Sequence, residues 1–571
     1  MNMKKLIYIS FAMFLAVIFT GCENFLDTEN YTKQNTGNFP KSLDDAKKAL
    51  TGIYSTLSLA ISNSQDTHFY MAELASDDRF GGGGENDKDM QGFDHLMNTK
   101  PNRLGTFWEA RYRGIFRANM ALETLENTEG WESEAQKKQF TGEIYFLRAL
   151  FFFELSQTFG EVPLVLKTEA ENIPKAPAEE TYAQIASDLK SAIELMSSTP
   201  YTSVESGHAT KWAAQALMAR VFLFYTGYYK KDSLPLAGEG GGSISQSEVV
   251  AWLEDCINNS GHGLVSDFRN LWPYTNEFTV EKYDFTKGKG LKWEGDGNKE
   301  TVFAVKFGTS VDWGDQFTLG YSNQYNLHFG LRAGNGGEST FPFGQGWGAG
   351  PVNGEMWNDW GQAEPTDIRR TASILDVEAE LESYEYGADM QMEETGYWQK
   401  KYVPITAYDG EGEFSISYTI LKDGALVDYQ RAHTQDLVLI RFADVLLMHS
   451  ELTQNATNLN KVRARAGLAS IAYTLDALKR ERRWELAFEG LRYFDLMRWG
   501  DAATQLAKQE GVAIKNRGVD TVMRGFGGGY KARYEATGGF WPIPHSQVEL
   551  SDGVLTQNAG WGTPAAEFPG W

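Results

Sequence analysis

Positions 307–361 hold 13 Gly and 11 aromatic residues in 55 places, in a chain of 571 residues with 58 Gly overall. Glycine at that density removes side chains a helix or strand would pack and adds backbone entropy that either would have to lose. No long regular element is therefore predicted there. The flanking sequence is of the opposite kind. Leu147, Leu150, Phe151 and Leu155 fall at i, i+3, i+4 and i+8, and Ala213, Ala216, Leu217, Val221 and Phe224 repeat the rule. Val438, Phe442 and Val445 mark one further helical face, and Leu475, Leu478 and Leu486 another. Weaker amphipathic segments lie near 43–60, 108–126, 181–197 and 247–258. The predicted fold class is mainly α. Paired helices in a tetratricopeptide-like scaffold are interrupted by a large loop-rich insertion with short strands, expected at Thr301–Phe307 and Ile416–Leu421.

Composition decides a few classes. With 53 Lys+Arg against 76 Asp+Glu the net charge is −23, which leaves no basic footprint for nucleic acid. Two Cys exclude a disulfide scaffold and a Cys-based zinc ribbon. One of them is accounted for at the N-terminus. Lys4 and Lys5 precede Leu6–Phe19, an apolar run broken only by Ser10. A spanning helix needs about 20 apolar residues and a signal-peptide core about 7–15. Residues 1–21 therefore read as a signal peptide. Its end, Phe19-Thr20-Gly21-Cys22, resembles a lipobox, with cleavage before Cys22 and lipid on its thiol. Cys256, then without a partner, is expected to be a small buried apolar residue.

Catalytic motifs do not emerge. The eight His are scattered, and no zincin spacing, nucleophile elbow or Walker A loop occurs. Gly344-x-Gly346-x-x-Ala349 matches a dinucleotide fingerprint only formally, since Trp347 and Pro351 crowd it. Asp296, Asn298 and Glu300, and likewise Asp409, Glu411 and Glu413, alternate without completing a calcium loop and read as solvated acidic turns. Ca²⁺ is a minor reading of them, and no cofactor is predicted. The aromatic insertion carries the stronger signal. Sugars offer apolar C–H faces and hydroxyls, which flat rings and directional polar groups match. Trp313, Tyr321, Tyr325 and Trp347, with Asp312, Asp315, Asn323 and Gln345 interleaved, form such a mixture and are candidate ligand contacts. The competing reading is that these rings form a local core.

One long segment is diagnostic. Arg482–Gly500 reads RRWELAFEGLRYFDLMRWG, and Asp436–Glu451 (DLVLIRFADVLLMHSE) and Leu459–Leu468 precede it. Trp108–Asn119, Gly142–Ala149, Phe159–Leu164, Ala209–Ala214, Phe540–Pro544 and Gln557–Gly560 keep the same order. This closely resembles the SusD/RagB family of Bacteroidetes outer-membrane nutrient-binding lipoproteins, over nearly the whole mature chain. The resemblance implies one SusD-like domain over 22–571, with a helical scaffold at about 40–260 and 435–500. A variable loop-rich lobe would occupy about 268–430 and 501–571. It implies a non-catalytic, lipid-anchored protein on the outer face of the outer membrane. Such a protein captures an oligosaccharide, polysaccharide or other nutrient and passes it to a SusC-like TonB-dependent transporter. Ligand contacts would lie in variable loops at roughly 68–95 and 268–361. The first contains Asp77, Asp78, Arg79 and Phe80 before a flexible Gly81–Gly84 hinge. Glu23 and Asp27 resemble an acidic surface-export signal. The Arg/Glu alternation of the signature, Glu485 and Asp495 included, reads as architecture. A surface glycoside hydrolase with a carboxylate pair, and a structural partner of the transporter without its own ligand, are the alternative functions.

Overall fold

The computed structural model describes residues 39–59, 64–169, 171–238, 241–309, 312–314, 320–562 and 567–571. The predicted signal peptide, Cys22, Glu23, Asp27 and Asp315 lie outside them.

Helices dominate. The first half contains α1 (Leu43–Leu59), α2 (His68–Leu74), α3 (Lys88–Asp94), α4 (Gly105–Thr124), α5 (Glu134–Phe159), α6 (Ala178–Leu195), α7 (Lys211–Tyr229) and α8 (Gln246–Asn259). After a long irregular stretch that includes α9 (Gln324–Phe329), the helices resume. They are α10 (Phe442–Thr453), α11 (Ala456–Arg465), α12 (Leu475–Glu485) and α13 (Arg492–Trp499). Local chemistry sets the boundaries. The Ser133 and Thr210 hydroxyls accept from the backbone N–H groups of Gln136 and Ala213 at the starts of α5 and α7. Ser245 and Glu248 form a reciprocal capping box on α8. Gly500, in the left-handed region at φ 77°, ends α13.

Packing runs as a row. α4 lies against α1 and α5, α5 against α6, α6 against α7, and α7 against α8. α8 and α12 contact α10, while α13 returns to α7 and joins the two halves. α5 is the central member. From Gly142 to Phe159 nearly all of it is buried, as expected of a helix apolar on every face. Its Arg148 makes a bidentate pair with Asp188 of α6, both bonds 2.7 Å, and donates to Asn119 of α4. Cys256 is buried on α8, and burial pushes its thiol up to about 12.

Strands are few and short; among the described residues every sheet has two strands. β1 (Thr301–Val305) pairs antiparallel with β4 (Leu437–Arg441), and β2 (Ala407–Tyr408) with β3 (Phe414–Ser415). The expected strand at 301–307 is present. The one expected at Ile416–Leu421 is instead a helix at Tyr418–Asp423. Ser417 caps its start and Gly424, at φ 65°, its end, so two punctuating residues override the β-branched character between them. Asp409 organises the β2–β3 turn as an acidic turn, its Oδ1 accepting from the N–H groups of Glu411 and Glu413, each at 2.9 Å.

Candidate functional site

The loop after α2 is an internal strap, which corrects the expectation of ligand contacts there. Arg492 makes a bidentate pair with Asp77 at 2.7 and 2.8 Å, and Arg483 donates to Asp78 at 2.6 Å. Both carboxylates are buried. Burial would raise both, but Arg492 and Arg483 hold Asp77 well below the usual range. Asp78, beside that charge, stays above it. Arg79 is enclosed between the rings of Phe329 and Phe488 at 4.2 and 4.7 Å. Its Nε lies 2.8 Å from Glu73, an ion pair without hydrogen-bond geometry. Phe80 is fully buried, its N–H bonded to Pro351 O. Asp77–Phe80 therefore anchor the signature helices α12 and α13 to the lobe and are closed to a ligand.

The glycine run that follows is not a hinge. Gly81–Gly84 are buried, and their backbone pairs with residues 348–350 through Gly350 N to Gly81 O and Gly83 N to Gly348 O. At Gly82, φ is +70° and a Cβ would sit 2.5 Å from Gly348 O. The second strand of this crossing has the same need. A Cβ on Gly346 would meet Leu327 O at 2.2 Å, which explains the glycines of the false dinucleotide match.

The candidate rings of the insertion part company. Tyr325 is buried, its ring on Phe69 and its hydroxyl bonded to Thr67, so it belongs to the core and not to a ligand face. Asn323 is buried too and caps α9. Trp313 and Tyr321 are more open. Tyr321 is 38% exposed, and its carbonyl accepts from Gly308 N. Half-buried Trp313 lies 5.0 Å from the Arg431 guanidinium, which pairs with Asp428. Trp347 and Gln345 are half-buried at another place, where the Trp347 ring rests on His328 at 4.4 Å. The Trp347 carbonyl accepts from Arg332, which also pairs with Asp87 and Asp389.

A further aromatic group was not singled out by the sequence. Tyr408 on β2 stands between Phe341 and Phe414, with ring centroids 5.0 and 5.7 Å away. All three are half-exposed. Exposed Lys282 places Nζ 4.2 Å from the Tyr408 ring, and Glu338 Oε1 lies 3.4 Å from its hydroxyl. A second such pair is Trp357 stacked on Tyr397 at 5.2 Å, with Arg370 over the indole. Tyr408 and Phe414 face one another across a hairpin whose acidic turn, 409–413, was legible. The spacing of two aromatics around that turn is the signal that could have found them.

The acids of the signature sit in a buried charge network. Glu485 accepts from Arg369 at 2.9 Å and from Arg441 at 2.5 Å, and also pairs with Arg465. Burial would raise its carboxyl, but these three guanidiniums hold it well below the usual range. Asp495 is paired with Arg482 and Arg498.

Comparison with known proteins agrees with this architecture. A family model described as "SusD family" matches residues 299–561, and one described as "Starch-binding associating with outer membrane" matches residues 24–223. A SusD-like protein of Formosa agariphila is 23% identical over 539 residues, 86% of this chain and 89% of that one. The solved structure of a laminarin-binding SusD-like protein is 25% identical, with a TM-score of 0.68 over 91% of this chain and 100% of that chain. Surface glycan-binding protein A of Bacteroides fluxus shares the fold at 24% identity, with a TM-score of 0.69 and the same coverage.

Proposed function

The chain belongs to the SusD family, and from that premise we propose that it is a non-catalytic carbohydrate-binding protein of the outer membrane. Its ligand is an oligosaccharide or polysaccharide, as suggested by a relative named for laminarin binding and another solved with laminarihexaose. Lipid on Cys22 anchors it facing the cell exterior, and it delivers its ligand to a SusC-like TonB-dependent transporter. The observation that carries the ligand reading is a cluster of half-exposed rings in a lobe where Tyr325, Phe329, Phe343 and Trp398 are buried. Tyr408, between Phe341 and Phe414 and edged by Lys282 and Glu338, is a flat apolar surface with a polar rim, which is what a sugar face and its hydroxyls require. Trp313, Tyr321, Gln345 and Trp347 remain proposed contacts elsewhere in the lobe. The adjacent carboxylates Asp77 and Asp78 are sealed and matched by arginines, which favours binding over chemistry.

Calorimetric titration of the 22–571 protein against a panel of β- and α-glucans and other glycans tests this. Tyr408→Ala and Trp313→Ala, assayed separately, are expected to cost about 1–3 kcal/mol of affinity, roughly 5- to 150-fold in Kd, at whichever platform holds the sugar. Product release from any of these glycans would overturn the non-catalytic reading. Unchanged affinity in both variants would remove these rings from the site. For the anchor, Cys22→Ala in the full chain should move the protein from the membrane to the soluble fraction. A tagged transporter from the same cells should retain the lipidated form.

A further inference from the structure

Where α3 ends, Asp94 and His95 face Glu393, and one ligating atom from each lies within 4.8 Å of the others. All three residues are at most 1% exposed. Buried polar atoms are normally partnered, yet neither ring nitrogen of His95 nor Oδ1 of Asp94 makes a hydrogen bond. His95 Nε2 stands 3.4 Å from Glu393 Oε1. Two donors on one tetrahedral ion have this separation, because bonds of about 2.0–2.1 Å at the tetrahedral angle place them about 3.3–3.4 Å apart.

The charge is unbalanced in the same sense. Among the described residues no Lys or Arg forms an ion pair with Asp94 or Glu393. The oxygens are meanwhile oriented from outside. Gly82 N–H donates to Glu393 Oε2 at 2.9 Å, and Trp571 Nε1–H donates to Oε1 at 2.6 Å. The Tyr530 hydroxyl donates to Asp94 Oδ2 at 3.3 Å. Outer partners of this kind fix ligand geometry at metal sites. Phe526, Tyr530 and Phe568 wall His95, with centroids at 4.7, 5.3 and 5.2 Å.

We propose that Asp94, His95 and Glu393 bind one divalent transition-metal ion of the zinc class, which pins the end of α3 to the segment around Glu393 beneath Trp571. One dication neutralises both carboxylates and takes the imidazole lone pair, with water as the fourth ligand. An imidazole with two carboxylates suits zinc and its neighbours, whereas Ca²⁺ seeks six to eight oxygens. The role is structural. The ion braces Gly82 and the strap that crosses residues 348–350.

The test needs no substitution at first. The 22–571 protein is produced with added zinc, dialysed and analysed for metal by mass spectrometry; the stripped protein is then titrated with Zn²⁺ against a chromophoric chelator. About one zinc per chain and a higher melting temperature with Zn²⁺ than with chelator are expected. Glu393→Gln keeps the acceptor for Gly82. It should weaken Zn²⁺ binding by more than the about 10–100-fold that loss of an outer partner costs. His95→Phe, which keeps the ring packing, should abolish binding while the variant still melts cooperatively. No zinc in the parent and no shift of its melting temperature would overturn the proposal, as would uptake unchanged in Glu393→Gln.

Discussion

Arg441→Ala is expected to destabilise the protein by about 3–5 kcal/mol, the cost of breaking a buried ion pair from one side. Its guanidinium sits among three carboxylates, 2.5 Å from Glu300, 2.5 Å from Glu485 and 2.8 Å from Glu489. All are buried. Truncation would leave those carboxylates short of a cation in a site that water does not reach. Arg369 and Arg465 supply part of the balance, but each is already committed, Arg369 to Asp367 and Glu481 as well as Glu485. The network also joins distant segments. Glu300 precedes β1, Arg441 ends β4, Glu485 ends α12 and Glu489 lies in the turn that follows it. Arg480 is the internal control. It alternates with the same acids in sequence but is exposed, so Arg480→Ala should stay within about 0.5 kcal/mol. Urea unfolding of both variants checks the contrast. A loss below about 1 kcal/mol for Arg441→Ala would show that the network does not hold this junction.

Acidification is the second large effect. Burial pushes His68 and His328 down to about 3, and His262 and His433 down to about 4. Each is therefore neutral in the fold but protonates in the unfolded chain near 6.5. Their contribution to stability is present above pH 6.5 and is lost as pH falls toward the folded values. At pH 5 each costs up to about 2 kcal/mol relative to pH 7. Asp436 acts in the opposite direction. Burial, with Asp296 beside it, pushes its carboxyl up to about 7, so acid returns about 2 kcal/mol there. The four imidazoles together are expected to lose more stability between pH 7 and pH 5 than Asp436 returns. Urea midpoints measured across this range should fall steeply, and His328→Phe should flatten the curve by removing one group. A level profile would contradict the burial of these rings as neutral species.

Much of the scaffold was legible because helices announce themselves locally. The i, i+3, i+4 spacing of Leu147, Leu150 and Phe151 acts within a few residues of chain. The Arg/Glu alternation of 480–498 likewise showed an ion-pair framework. The candidate site was read less well. Asp77–Phe80 has the composition of a ligand loop, but Arg483 and Arg492, 405 and 415 positions away, turn it into a brace. Tyr325 and Trp313 are alike in sequence. Only the first meets Phe69 and Thr67 in the core. Tyr408 and Phe414 come together through a hairpin too short to signal by alternation.

The sequence by itself determined the family, the helical class, and the concentration of rings and glycines in one insertion. Each of these rests on residues close together in the chain or on a motif long enough to be specific. The tertiary structure alone decided which rings stay at the surface and which carboxylates are neutralised. It also brought Asp94 and His95 within reach of Glu393. Burial and charge pairing depend on partners hundreds of residues apart, and no local pattern encodes that proximity.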